Sequence, residues 1–304
     1  MSSKHIVHIE TIADLYRISS VSAPNHPLFG IIRLEDIPKL SKDYPERISY
    51  GFYTIGLKKN LNGYIRYGRG KYDFQEGLLG FTAPNQVLEF KSDITKNATG
   101  YLIFFDKLFI SGNQKVGKID AYHFFDYHIN EALHLSHKEE MIVENILDGM
   151  YHEYNLPIDK YSKEVIVSSL ELLCSYASRF YNRQFVTRND VDSSFLVKFE
   201  QTLKQYFSSG MSSEQGIPSV GYFSEKLNLS PNYLSDLLRS LTGKSTQEHI
   251  HFQVLEKAKN LIQSTDKTIA EIAYEIGFEY PQYFSVFFKK KTGVTPTVFR
   301  NQRQ

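Results

Sequence analysis

The chain ends in a segment whose charged side chains could bind phosphate. Residues 272–290 are IAYEIGFEYPQYFSVFFKK, and three consecutive lysines, Lys289, Lys290 and Lys291, close this aromatic run. Lysines in the last turn of a helix lie at the negative end of its dipole, and their ammonium groups can reach a nucleic acid backbone. This chemistry requires a helix that holds the lysines at a surface, and the apolar residues of the segment recur at helical spacing.

Residues for catalysis or for a metal site are scarce. The single cysteine, Cys174, excludes an internal disulfide and stands in an apolar stretch where a small packing residue is expected. No histidine occurs between residues 27 and 122, and His249 and His251, two apart on a predicted helix, would point away from each other. We find no glycine-rich phosphate loop, nucleophile elbow or paired-carboxylate motif. The sequence therefore predicts no enzyme and no cofactor or metal.

The segment that carries the lysines has a second copy 50 residues earlier. YLSDLLRSLTGKST at 233–246 matches YFSVFFKKKTGVTP at 283–296, and the copies follow the turn residues Asn228 and Gly277. Asn and Gly adopt left-handed backbone angles most readily, and a proline starts the next helix in each copy. The pattern predicts two helix-turn-helix units. Four aromatic residues are expected on the buried side of the second recognition helix: Tyr283, Phe284, Phe287 and Phe288.

A single helix is predicted between the two copies. Residues 246–262, TQEHIHFQVLEKAKNLI, would form a helix about 25 Å long at 1.5 Å per residue. With the packed units added, the two recognition helices would lie about 34 Å apart, which is one turn of B-DNA. Both could then enter successive major grooves on one face of a duplex.

An architectural protein that binds DNA without sequence preference is one alternative. The affinity of such a protein rests on phosphate contacts and needs a strongly basic chain. Here the net charge is +1, and residues 195–304 carry 13 basic and 10 acidic side chains. This nearly neutral charge favours sequence-specific binding.

The first 110 residues predict a sheet. Short runs rich in Ile, Tyr and Phe, separated by Gly, Asn and Pro, indicate an antiparallel sheet or a small barrel, with His5 and His8 ahead of it. Residues 137–155 and 160–183 show the three- and four-residue apolar spacing of two amphipathic helices. The predicted fold class is α+β, with an antiparallel β-barrel and two helices in front and an all-α domain behind.

The 304 residues are enough for two domains, with 41% hydrophobic and 23% charged residues as in globular proteins. Residues 186–194 are polar and lack periodicity, so they predict a linker between a domain at 1–185 and a domain at 195–304. No run of about eighteen apolar residues and no apolar leader occurs. We therefore expect a cytoplasmic protein that has no membrane partner.

Residues 195–304 resemble the DNA-binding domain of the AraC/XylS family of bacterial transcription regulators. The resemblance is carried by LNLSPNYLSDLLRSLTGKS, AKNLI and IAEIAYEIGFEYPQYFSVFFKKKTGVTPTVFR. It implies a sequence-specific regulator that binds double-stranded DNA, with RNA polymerase as a further candidate partner. The chain departs from the family pattern at Val254, where an arginine is usual, and Lys257 or Lys259 is the candidate for its backbone contact. At the small position before each turn it has Ser224 and Ala273.

The resemblance also assigns candidate DNA contacts by position. Arg239 and Asn232 are the strongest candidates because guanidinium and amide groups make paired hydrogen bonds to base edges, and Gln282 is their counterpart in the second unit. Asp236 would repel phosphate unless it pairs with Arg239 or accepts from cytosine. The full set of base-contact candidates is Asn232, Ser235, Asp236, Arg239, Tyr280, Gln282, Tyr283, Val286 and Lys290. The phosphate candidates are Ser230, Lys244, Lys289, Lys291 and Arg300.

In this family the front domain commonly resembles a cupin-like barrel that binds a small effector, followed by helices for dimerisation. The resemblance thus implies an unknown small-molecule effector and a homodimer. The effector candidates, which could equally be ordinary strand residues, are Tyr50, Tyr53, Tyr64, Arg66, Tyr67, Arg69 and Tyr72. The dimerisation candidates are Leu170, Leu173, Ala177 and Phe180. A cupin enzyme fused to a DNA-binding domain is the other alternative, and it would need the histidine set that the strands lack.

Overall fold

The computed structural model describes residues 6–37, 47–60, 66–67, 70–71, 77–89, 99–112, 116–128, 131–187 and 189–302. The chain divides into two compact units, Met1–Gln184 and Phe185–Gln304. The first contains strands and helices and the second contains helices, so an α+β fold with an all-helical C-terminal part is confirmed. Across the described ranges, none of the helices combines the length and apolar content that a membrane span requires.

The strands of the first unit form three sheets. A five-stranded antiparallel sheet has the order β10-β7-β4-β9-β2, a three-stranded sheet has the order β1-β3-β8, and β5 pairs with β6. The bounds are β1 (Val7–Ile9), β2 (Phe29–Arg33), β3 (Arg47–Tyr50), β4 (Tyr53–Lys59), β5 (Arg66–Tyr67), β6 (Gly70–Lys71), β7 (Leu78–Thr82), β8 (Val87–Glu89), β9 (Thr99–Phe105) and β10 (Leu133–His134). The described strands do not close into a barrel, so that part of the predicted fold is not confirmed.

The first strand differs from the prediction in direction and in content. β1 runs parallel to β3, with Val7 opposite Ile48. A parallel pair needs a crossover, and the chain provides it because α1 (Ile12–Ile18) and β2 lie between the two strands. His8 lies within β1, with its Nδ1 2.8 Å from Ser49 Oγ, so the expectation that it precedes the sheet is wrong.

Three helices follow the last long strand of the first unit. They are α2 (Lys107–Ile110), α3 (His137–Asn155) and α4 (Ser162–Thr187). The Ser136 N–H donates to Glu139 Oε2 at 2.9 Å, and the Ser162 N–H donates to Asp159 Oδ1 at 2.9 Å, so a local carboxylate satisfies a free N–H at each helix start. α3 has its predicted bounds, whereas α4 continues four residues past the predicted end.

The two faces of the five-stranded sheet meet different partners. On one face, Phe29 contacts Tyr154 of α3 and Phe81 contacts Tyr181 of α4, with ring centroids 5.6 and 6.3 Å apart. On the other face, Phe104 belongs to a buried cluster that includes residues of α1, β1 and β3. The sheet is therefore a middle layer between long helices and the smaller sheet.

The second unit consists of helices and their connections. In chain order they are α5 (Asn189–Ser208), α6 (Met211–Gln215), α7 (Val220–Leu227), α8 (Pro231–Thr242), α9 (Thr246–Ser264), α10 (Ile269–Ile276), α11 (Pro281–Thr292) and α12 (Pro296–Asn301). They surround one buried cluster, in which Phe199, Phe223, Phe284 and Phe288 have no exposed surface. Val254 of α9 lies in the same cluster, so the long helix is the central element of this unit.

The linker predicted at 186–194 is mostly helical backbone. α4 extends to Thr187 and α5 begins at Asn189. The segment is polar and lacks an apolar period, but it contains no Gly or Pro that would stop a helix. Polarity alone was therefore a poor indicator of irregular structure.

Candidate nucleic-acid interface

A left-handed residue ends the first helix of each helix-turn-helix unit. Asn228 follows α7 with φ 55°, and Gly277 follows α10 with φ 108°. At Gly277 the surrounding space is closed as well, because a Cβ would lie 2.5 Å from the carbonyl oxygen of Ser212 and 2.6 Å from the carbonyl carbon of Gly216. Both predicted turns are present, and the second one requires glycine.

Ser230 and Pro281 start the two recognition helices, α8 and α11. The Tyr233 N–H donates to Ser230 Oγ at 3.3 Å, and Ser230 is buried. Ser230 therefore caps α8 and is not placed to contact a phosphate with its side chain, which corrects that prediction. Pro281 occupies the first turn of α11, where its missing N–H costs no helical hydrogen bond.

The outer side of α8 carries a charged pair. Arg239 Nη1 donates to Asp236 Oδ1 at 2.7 Å, and half of the Arg239 side chain is exposed. The pair compensates the Asp236 charge and leaves other guanidinium N–H groups at the surface. Asn232, seven residues before Arg239, lies on the same side and is half-buried. Ser235 is turned inward, because its Oγ donates to Thr246 Oγ1 of α9 at 3.2 Å.

The outer side of α11 is more apolar. Tyr283 and Val286 are 66% and 67% exposed, which is unusual for side chains of this size. Tyr280 packs edge-on against Tyr283 at 5.6 Å between ring centroids. Gln282 and Lys290 are also exposed. The structure therefore brings five predicted base-contact residues to one exposed surface.

Tyr283 was also expected on the buried side of α11, and that expectation is wrong. Its counterpart in the first copy, Tyr233, is buried and packs edge-on against Phe185 at 5.1 Å. In the second copy, Phe284 and Phe288 are fully buried and fill the core without the tyrosine. The repeat thus conveys helix positions but not the burial of each side chain.

The basic candidates fall into two groups. Lys289, Lys290 and Lys291 are exposed at the end of α11, as a phosphate contact requires. Lys244 holds its Nζ 4.9 Å from the centre of the Phe252 ring and is also exposed. Arg300 is occupied within the protein, since its Nη2 donates to the Lys267 carbonyl oxygen at 2.7 Å, and its assignment to phosphate is not supported.

The two lysines proposed for the family's arginine contact differ in availability. Lys257 Nζ donates to the Phe207 carbonyl oxygen at 2.9 Å and to Ser212 Oγ at 3.3 Å. Burial lowers the pKa of Lys257, so this lysine acts inside the unit. Lys259 lies nearer the surface and pairs with Glu256 at 2.8 Å.

Two histidines of α9, not predicted to have a role, fix the recognition helices. His249 Nε2 lies 2.8 Å from Thr242 Oγ1 at the end of α8. His251 packs edge-on against Phe287 of α11, with ring centroids 5.4 Å apart. Burial lowers the pKa of both histidines, which favours neutral rings. Their spacing of two residues is the signal that could have identified them, since it turns one toward each recognition helix.

Two of the predicted effector residues have described side chains, and both are buried in the core. Tyr50 stacks on Phe52 at 5.2 Å between centroids. Tyr53 stacks on Phe105 at 5.3 Å, and burial raises its pKa to about 12. Arg66 and Tyr67 form β5 with side chains that are not described, and the remaining candidates lie outside the described residues: Tyr64, Arg69 and Tyr72.

The predicted dimerisation residues are buried within their own unit. None of the four is more than 4% exposed, and they are Leu170, Leu173, Ala177 and Phe180. Cys174 lies between them and is fully buried, which raises its pKa to about 12 and fits the packing role predicted for it. The apolar side chains that α4 exposes are others, namely Val165 and Leu172.

Comparison with known proteins concerns the C-terminal helices above all. The family described as a helix-turn-helix domain matches residues 223–302. The uncharacterised transcriptional regulatory protein YesN of Bacillus subtilis strain 168 is 40% identical over 81 residues, 26% of this chain and 22% of YesN. YfiF, an uncharacterised helix-turn-helix transcriptional regulator of the same strain, is 23% identical over 269 residues, 83% of this chain and 77% of YfiF.

A solved structure matches the same part of the chain. The C-terminal domain of the two-component response regulator YesN from Fusobacterium nucleatum is 32% identical, with a TM-score of 0.30, over 33% of this chain and 96% of that one. Among the curated relatives the chain spans from 10% to 77% of the relative's length, and for most of them less than two thirds. By the residues that form its helix-turn-helix units, the chain belongs to the AraC/XylS family of DNA-binding transcriptional regulators, which are not enzymes.

Proposed function

We propose that the chain is a one-component regulator in which α8 and α11 contact two successive major grooves of an operator. A small molecule bound in the first unit controls the affinity for DNA. Such a ligand can change the affinity only by as much as it binds one arrangement of the chain better than another. The proposed domains are 1–185 and 195–304, and a role at DNA places the protein in the cytoplasm.

The observation that carries this proposal is the pair of exposed recognition surfaces fixed to one central helix. α9 contacts the end of α8 through His249 and the middle of α11 through His251. The two histidine side chains therefore join both recognition helices to a single rigid element.

The two recognition surfaces differ in chemistry, which predicts two different half-sites. Arg239 and Asn232 on α8 suit hydrogen bonds to guanine and adenine edges. Val286 and Tyr283 on α11 suit contact with thymine methyl groups, next to the amide of Gln282. We therefore expect an operator with unlike halves rather than a palindrome for each chain.

Fluorescence anisotropy tests sequence-specific binding. Full-length protein is titrated against DNA from upstream of its own gene and against scrambled DNA across a salt series. We expect a preference of about 10³ or more for one upstream segment. Arg239→Ala should weaken that complex about tenfold or more, because it removes a paired base contact.

Arg17→Ala in α1 is the matched control, since Arg17 is an exposed arginine that pairs with an aspartate of its own helix, as Arg239 does. It should leave operator affinity unchanged. Equal binding to both DNAs with a steep salt dependence would instead support the architectural alternative.

The homodimer is proposed on a different surface from the predicted one. α4 exposes Tyr161, Val165 and Leu172, which lie along one side of the helix with Ser168 and Ser169 between them. In an antiparallel pair of α4 helices centred on the serines, each Val165 would face the Leu172 of the other copy. A two-fold interface needs such self-complementarity, and small central residues allow close approach.

The first unit is proposed to be cupin-like, with its ligand between the two larger sheets. The five-stranded and three-stranded sheets share a buried cluster, as the two sheets of a sandwich do. RNA polymerase is retained as a candidate partner.

A further inference from the structure

The inner face of the five-stranded sheet changes character from one side to the other. On the β9 side, Phe104 and Leu102 pack into the cluster shared with α1 and the smaller sheet. On the β4 and β7 side, the residues of the same face are small or polar. The register gives them as the pairs Thr54 with Thr82, Gly56 with Gly80 and Lys58 with Leu78.

The two glycines leave a recess above these strands. A Cβ added at Gly80 would have no described atom within 4 Å, and Gly80 keeps accessible surface in the middle of its strand. A Cβ at Gly56 would lie 3.0 Å from Leu102 Cδ2 and 3.8 Å from Lys58 Cε. The Lys58 side chain therefore bends over Gly56 along the floor of the recess.

Lys58 lacks the partner that a lysine in this position needs. Its neighbour Lys59, on the opposite face, pairs with Glu140 at 3.3 Å and with Glu144. Within the described residues, Lys58 has neither a carboxylate nor any other hydrogen-bond partner, and burial lowers its pKa. Because a buried ammonium without a counter-charge is costly, this position favours an anion supplied from outside.

Two hydroxyl groups lie at the other end of the recess. Thr54 and Thr82 face each other across β4 and β7 and are 8% and 7% exposed. Neither hydroxyl has a hydrogen-bond partner within the described part of the chain, although buried hydroxyls are nearly always bonded. Four residues of strand separate Thr54 from Lys58, which is about 13 Å along β4.

We propose that this recess binds a small hydroxylated carboxylate, with the carboxylate on Lys58 Nζ and the hydroxyls on Thr54 and Thr82. The flat floor at Gly56 and Gly80 receives the body of the ligand, and its size is that of a sugar acid. This inference rests on the proposed function, because it identifies the chemical class and the place of the effector.

Thermal unfolding of the full-length protein tests the ligand class. The probes are D-glucuronate, D-gluconate and glycolate at millimolar concentration, with D-glucose as the uncharged match and glucose 6-phosphate as the phosphate arm. We expect at least one carboxylate to raise Tm by a few degrees and D-glucose to leave it unchanged. Stabilisation by the phosphate alone, or by none of the carboxylates, would overturn the proposed class.

Variants test the place. Lys58→Met keeps the length of the side chain and removes its charge, and Gly80→Val fills the recess with a residue suited to a strand. Each should abolish the rise in Tm. Lys59→Met, on the opposite face, should keep the rise even though its basal Tm falls. A rise that persists in both Lys58→Met and Gly80→Val would overturn the site.

Operator affinity is measured on the same samples. A chain that binds its operator but shows no response to the probes refutes this inference alone. A chain that responds to a carboxylate without any operator preference refutes the proposed function and keeps the site.

Discussion

Gly277 is a residue at which backbone conformation and packing impose the same requirement. Its φ of 108° lies in a region that residues with a Cβ rarely adopt, and the neighbouring backbone of Ser212 and Gly216 fills the space a Cβ would need. Gly243, after α8, has a φ of 75° but open space around it. The two glycines therefore separate the cost of conformation from the cost of packing.

Gly277→Ala should destabilise the protein more than Gly243→Ala. A left-handed alanine costs about 1 to 2 kcal/mol, and at Gly277 the displaced backbone adds to that cost. Urea unfolding of the full chain, followed by the helical circular dichroism signal, measures both variants. Equal losses at the two positions would show that the contacts of Gly277 are not restrictive.

Single residues show where sequence inference ends. Gly277 could be predicted because a turn requires its backbone angle, whatever the tertiary packing. The inward turn of Ser235 and the exposure of Tyr283 could not, since both depend on which neighbour fills the core. The alternation Thr54, Gly56, Lys58 is visible in the sequence, but only the register with β7 shows that it forms one face.

At the scale of elements, the helices of the second unit follow from local signals. Pro281 and Gly293 bracket α11, and Ser230 and Gly243 bracket α8, so their bounds are predictable. The first unit is harder, because strand order and the parallel pairing of β1 depend on contacts between distant segments. The linker prediction failed for the opposite reason, since local polarity says little when no residue breaks the helix.

The exposed side of α4 gives a prediction about assembly. Leu172→Glu should convert the proposed homodimer to monomer, because it places two carboxylates in an apolar contact. Sedimentation equilibrium at micromolar concentration measures the change. Met141→Glu, at an equally exposed position of α3, is the control and should stay dimeric. A wild-type protein that is only monomeric, or a dimeric Leu172→Glu variant, would contradict this interface.

At the scale of the whole molecule, the chain combines two kinds of surface in separate compact units. The first unit carries an inner recess with an unpaired lysine, and the second carries two recognition helices held by one central helix. The family membership was visible in the sequence because the helix-turn-helix signature is local and occurs twice. The recess was not, because it depends on the packing of two sheets.

The measurement that most directly tests the two-groove arrangement is operator affinity as a function of half-site spacing. The half-sites are first located by methylation interference, and five base pairs are then inserted between them. Because α8 and α11 are fixed to α9, the insertion should turn one half-site to the opposite face of the duplex and weaken binding at least about tenfold. Unchanged affinity after the insertion would contradict simultaneous binding by both helices of one chain.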